Sequence, residues 1–183
     1  MRRRLLTAGL GALLLLGAGR PAGAGDPLEK VFGGAFTLVN QEGSAVSDAE
    51  FRGRYLLLAF GYTHCPDVCP TDLMAMTQAL DALGPAGERV TPAFATVDPE
   101  RDTPPVLREY LSSFHPRFVG LTGSEAQVAA AAKAFKVHRR KVLPSPGATE
   151  DYFVDHGSLI YLIGPDGRFL TLFPAGTPGD RTA

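Results

Sequence analysis

Tyr55-Leu56-Leu57-Leu58-Ala59-Phe60 is an unbroken apolar run. A run of this length without alternation predicts a strand buried on both faces at the centre of a sheet. Further along, Leu73, Met76, Leu80 and Leu83 recur at helical spacing, so residues 71–83 read as a helix that Gly84-Pro85 closes. Residues 90–97 predict a second core strand. Thr103-Pro104-Pro105 opens a helix to about residue 114, with a capping threonine and proline in the first turn. Residues 118–121 read as a short strand, 124–135 as an alanine-rich helix with Glu125 near its start, and 137–142 as extended chain. Pro144, Pro146 and Gly147 mark 143–150 as loop. Two hairpins frame the pattern: residues 31–39 and 45–51 around Asn40-Gln41-Glu42-Gly43, and 158–163 and 169–173 around Gly164-Pro165-Asp166-Gly167.

Strands alternating with helices predict parallel pairing, and the closing hairpin adds an antiparallel edge. The expected fold is a thioredoxin-like α/β sandwich with a central mixed sheet and an N-terminal β-hairpin extension. No internal repeat or low-complexity tract interrupts it. Ahead of it, Arg2, Arg3 and Arg4 precede an apolar stretch over residues 5–17, and Ala22-Gly23-Ala24 offers a small-x-small cleavage pattern. Residues 1–24 therefore read as a signal peptide, with an uncleaved N-terminal anchor as the alternative, and residues 25–183 as a single domain. Export is expected, to the periplasm in a bacterium, with an inner-membrane tether as the anchored variant. Of the 18 Lys and Arg residues, four fall in the signal, as does none of the 19 acidic ones; the remainder is net negative and argues against a nucleic-acid partner.

The two cysteines, Cys65 and Cys69, both lie in Phe60-Gly61-Tyr62-Thr63-His64-Cys65-Pro66-Asp67-Val68-Cys69-Pro70, between the central strand and the first helix. Two cysteines are too few for a disulfide scaffold, and a bridge closing so short a loop would add little stability. A helix N-terminus lowers a thiol pKa, and the thiolate is both nucleophile and metal ligand, so redox and metal chemistry both gain from this placement. Three intervening residues, with Pro66 and Pro70 stiffening the loop, make a wider bite than the usual two-residue redox spacing. His156, in Asp155-His156-Gly157-Ser158 ahead of the last hairpin, is expected at the same end of the sheet, where it supplies a third ligand. Two sulfurs and an imidazole suit Cu(I), or Cu(II) with an added oxygen, whereas structural zinc wants a fourth protein ligand. His64 is expected to point away from Cys65. His115 reads as a helix-end residue, and His138 as part of a solvated basic run with Arg139, Arg140 and Lys141 that an acidic partner would fit. Leu73, Met74 and Met76 read as core rather than as a thioether patch.

Gly61-Tyr62-Thr63-His64-Cys65-Pro66-Asp67-Val68-Cys69-Pro70, then Thr96-Val97-Asp98-Pro99-Glu100-Arg101-Asp102-Thr103-Pro104, then Asp155-His156 and Gly164-Pro165-Asp166-Gly167, resembles the Sco/SenC family of copper-binding assembly factors over residues 32–173. The resemblance implies copper held by Cys65, Cys69 and His156, and a role in building the dinuclear copper centre of cytochrome c oxidase. The implied partners are the copper-bearing oxidase subunit or a related copper-site apoprotein, and other periplasmic copper carriers. It also places Asp98 near the site. Family members usually end in a helix covering the sheet, whereas residues 173–183 carry two prolines and two glycines and predict a short helix or none. A copper chaperone is the leading expectation. A thiol-disulfide oxidoreductase using Cys65 and Cys69 to reduce a copper-site apoprotein is the rival, and a peroxidase finds no supporting motif.

Overall fold

The structure, a computed structural model, describes residues 31–145 and 152–183. The expected signal and most of the 143–150 loop lie outside the described residues. Nine strands are described: β1 (Thr37–Asn40), β2 (Ala45–Ser47), β3 (Tyr55–Gly61), β4 (Val90–Thr96), β5 (Val119–Thr122), β6 (Arg139–Val142), β7 (Phe153–His156), β8 (Leu159–Ile163) and β9 (Phe169–Pro174). The helices are α1 (Val68–Leu83), α2 (Pro104–Leu111), α3 (Glu125–Ala134) and α4 (Gly179–Thr182), with short 3-10 turns at Asp48–Phe51 and Gly84–Arg89.

Seven strands form one mixed sheet in the order β2-β1-β5-β4-β3-β8-β9. β3, β4 and β5 run parallel, and β8 lies antiparallel on β3 with Leu56 opposite Ile163. This is the thioredoxin-like arrangement that the alternation of elements predicts. β3 is buried from Leu56 to Gly61, as its uninterrupted apolar run requires. Alternate residues serve opposite layers. Phe60 packs with Phe135 and Tyr161 on one face, while Phe94 of β4 meets Tyr110 and, through it, Phe114 on the other.

Three differences from the sequence reading bear on the site. The N-terminal hairpin forms, but only over β1 and β2, and β1 also pairs with β5, so the hairpin is the edge of the main sheet. α1 starts at Val68 rather than Thr71, which places Cys69 and Pro70 in its first turn. Proline fits there because the first amides of a helix have no intrahelical acceptor. His156 ends a strand, β7, that pairs antiparallel with β6 as a separate two-stranded ribbon. Phe153-Val154-Asp155-His156 sets two apolar residues before two polar ones, and neither this order nor four residues of chain can announce a strand. The C-terminus makes one helical turn, α4, lying on α1, the short helix that residues 173–183 predict. A side chain at Gly179 would meet the Gln78 Cβ at 2.5 Å, and the Gly176 amide donates to Asp72 Oδ1 at 2.9 Å. A cavity of about 240 Å³ lined by Tyr55, Leu57, Leu80, Leu83 and Leu162 lies between α1 and the sheet, beside Thr182 and Ala183.

Candidate metal centre

The carboxyl end of β3 delivers the chain to a turn in which the Cys65 amide donates to Tyr62 O at 3.2 Å. α1 then begins, with Cys69 in its first turn and the positive end of the helix dipole beneath both sulfurs. Gly61 makes room for this. A Cβ there would lie 2.7 Å from Cys69 Sγ and 2.7 Å from the Phe94 ring, so the strand must end in glycine for Cys69 to tuck against it.

The Cys65 and Cys69 sulfurs and a His156 ring nitrogen lie within 4.8 Å of one another. His156 Nε2 is 3.7 Å from Cys69 Sγ. Its other nitrogen, Nδ1, lies 3.0 Å from Gly157 O, which only accepts, so Nδ1 donates there and the ring is held with Nε2 towards the sulfurs. Cys69 is buried and Cys65 is partly exposed, so the centre opens on the Cys65 side. The ring of Tyr62 meets His156 edge-on, with centroids 5.8 Å apart.

The two thiols are electrostatically unlike. Hydrogen bonding from Cys69 holds Cys65 as the thiolate, with His156 and the Asp67 and Cys69 amides adding to it against the cost of burial, and its pKa falls to about 3. Cys69 is pushed far up by the same hydrogen bond and by burial, and keeps its proton. Cys65 should therefore react with iodoacetamide at nearly the same rate at pH 5 and pH 7. An ordinary thiol loses about a hundredfold over those two units. Mass-mapped alkylation of the reduced protein checks this, and a hundredfold fall at Cys65 would show that the pair does not stabilise its thiolate. A group with a depressed pKa stabilises the fold above its unfolded value and loses that contribution as pH falls through the folded one. The Cys65 contribution is therefore complete above about pH 9 and disappears towards about pH 3.

The remaining histidines stand apart from this trio. His64 is exposed, with Nδ1 3.0 Å from Thr63 Oγ1. His115 accepts from the Arg117 amide in the turn after α2, and His138 lies 3.5 Å from Asp155. The basic run is paired within the molecule: Arg139 with Glu125, Arg140 with Asp155 and Lys141 with Glu100. Leu73 and Met76 are core, and Met74 faces outward.

Asp98 reaches the site indirectly. Its carboxylate is almost wholly buried, pairs with Arg101 at 2.5 Å and accepts from the Tyr152 hydroxyl at 2.9 Å. The Arg101 guanidinium lies 3.8 Å from the Tyr152 ring centroid and 5.7 Å from that of Tyr62, which in turn backs His156. Sequence reasoning missed Tyr62, Arg101 and Tyr152. The only signal was the density of acidic, basic and threonine residues in Val97-Asp98-Pro99-Glu100-Arg101-Asp102-Thr103 directly after a core strand.

The pattern that defines the SCO1/SenC family matches residues 25–183. The chain belongs to the SCO1/SenC family. It is 43% identical over 154 residues to the mitochondrial SCO1 homolog of Homo sapiens, covering 81% of this chain and 48% of that one; the chain thus spans about half the length of that relative. Among solved SCO1/SenC structures it is similar to Bradyrhizobium japonicum ScoI, solved with copper bound (TM-score 0.72, 46% identity, 78% of this chain and 88% of that one). It is also similar to BsSco, a member of the Sco family of cytochrome c oxidase assembly proteins in which a disulfide switch was identified (TM-score 0.61, 30% identity, 81% and 88%). Among the described residues of this SCO1/SenC chain, no helix is long and apolar enough to cross a membrane.

Proposed function

We propose that this protein is a copper chaperone: reduced, it takes one copper ion on Cys65, Cys69 and His156 and surrenders it to the copper-bearing subunit of cytochrome c oxidase as the dinuclear centre is assembled. The observation that carries this reading is the convergence of two sulfurs and one imidazole within 4.8 Å, in a chain similar to proteins solved with copper. Two thiolates and a neutral imidazole are a soft set that suits Cu(I), and three protein ligands leave a position through which a partner's sulfur can enter. The exposed Cys65 side is that entrance. Because Cys65 is already a thiolate and Cys69 is not, loading releases the Cys69 proton, and affinity falls as pH falls. The proposed site of action is the periplasmic side of a membrane, reached by export of residues 25–183 or with the N-terminus retained as a tether.

One observation favours a second role. A half-exposed thiolate beside a buried thiol is also the arrangement for dithiol exchange, in which Cys65 attacks a disulfide and Cys69 resolves the mixed disulfide, taking two electrons from the pair. Native mass spectrometry of the anaerobic reduced protein with Cu(I) separates the readings. One copper per chain is expected, and none once Cys65 and Cys69 are oxidised to the disulfide. A reduced protein that holds no copper yet cycles its disulfide would leave the reductase alone.

A further inference from the structure

Asp102 has no exposed surface, and its carboxylate is met by hydroxyls and an amide rather than by a cation. Oδ1 accepts from Thr63 Oγ1 at 2.6 Å; Oδ2 accepts from the Thr63 amide at 3.0 Å and from Thr96 Oγ1 at 2.6 Å. Its own amide donates to Asp98 O at 3.0 Å, and its carbonyl accepts from Thr122 Oγ1 at 2.7 Å. Thr96 closes β4, Thr122 closes β5, and Thr63 stands two residues beyond β3. One residue, through its carboxylate and its carbonyl, thus ties together the carboxyl ends of the three parallel strands. Its grip on Thr63 is the unusual part, because both the amide and the hydroxyl of that residue are taken, which fixes the backbone and the rotamer together. Only His64 separates Thr63 from Cys65, inside the turn that the Cys65 amide closes on Tyr62.

We propose that Asp102 is a positioning residue for the metal-binding loop: by holding Thr63 at two points it sets the direction in which Cys65 projects towards Cys69 and His156. This rests on the copper reading of the site. A carboxylate in this place replaces solvent, which would otherwise satisfy the Thr63 amide from many directions, with one fixed direction. Burial pushes the Asp102 carboxyl above its ordinary range, and the three donors offset part of that cost.

Thr63→Val and Thr96→Val each remove one hydroxyl from the same carboxylate, and both should lower the thermal midpoint. Only Thr63→Val loosens the cysteine turn. Copper affinity, read by competition with bathocuproine disulfonate, should fall about tenfold in Thr63→Val and stay within about twofold in Thr96→Val, with Thr63→Ser restoring the wild-type value. In the metal-free protein, the equilibrium by which glutathione disulfide oxidises Cys65 and Cys69 to their disulfide, releasing two glutathione thiols, should fall about tenfold in Thr63→Val alone. Equal changes in the two valine variants, following their lost stability, would overturn the proposal, as would an unchanged Thr63→Val. If the wild type binds no copper, the chaperone reading fails, while the glutathione equilibrium still decides whether Thr63 aims Cys65.

Discussion

His156→Ala should retain its fold and its dithiol and lose most of its hold on copper. A three-ligand site that gives up its imidazole keeps two sulfurs and admits water, and the expected loss is roughly a hundredfold to a thousandfold in affinity. The ring contributes little else. Its Nδ1 bonds only its neighbour's carbonyl, and its effect on the Cys65 thiolate is smaller than that of Cys69. Disulfide exchange between Cys65 and Cys69 and glutathione should accordingly stay within about threefold of wild type. His115→Ala and His138→Ala are the matched controls, since those rings serve the Arg117 amide and Asp155. Both should leave Cu(I) affinity within about twofold in the same chelator competition. Retention of wild-type affinity in His156→Ala would remove the imidazole from the ligand set and leave a two-sulfur site.

Asp98→Ala is the substitution with the largest expected effect on stability. It removes the carboxylate from an ion pair in which the acid is 1% exposed, stranding the Arg101 guanidinium between two tyrosine rings and leaving the Tyr152 hydroxyl without its acceptor. Breaking one side of such a pair costs about 3 kcal/mol, which for a chain of this size lowers the thermal midpoint by roughly 6–12 °C. Thermal unfolding of the reduced, metal-free protein measures it. A fall of less than about 1 kcal/mol would mean that the tyrosine rings, rather than the carboxylate, hold the arginine.

The centre of the fold was legible because its signals are local. An apolar run of six residues can only be buried strand, and the glycine, proline and cysteine that follow mark a loop into a helix. His156 was legible as a candidate ligand, since it precedes a readable strand, but not as a strand residue, since β7 is four residues long and pairs with a ribbon partner 17 positions away. Thr63, Asp102, Arg101 and Tyr152 were harder still. Thr63 and Asp102 are 39 positions apart and Asp98 and Tyr152 are 54 apart, and neither pairing follows a helical or strand period. Contacts of this kind arise only once three strand ends have been brought level by the parallel register, which is a property of the assembled sheet.

Among the described residues, the ribbon that carries His156 shares no ladder with the main sheet. Side chains stitch it down instead: Arg139 to Val97 O and Glu125, Lys141 to Glu100, and Arg101 to Tyr152 O. The centre is thus a pair of jaws, one rooted in parallel strands and a helix, the other seated by the buried Val137, Tyr152 and Val154 and by ion pairs at the surface. An ion gripped by both jaws acts as the rivet between them. By reciprocity, whatever order the ribbon lends to the grip, the grip returns to the ribbon.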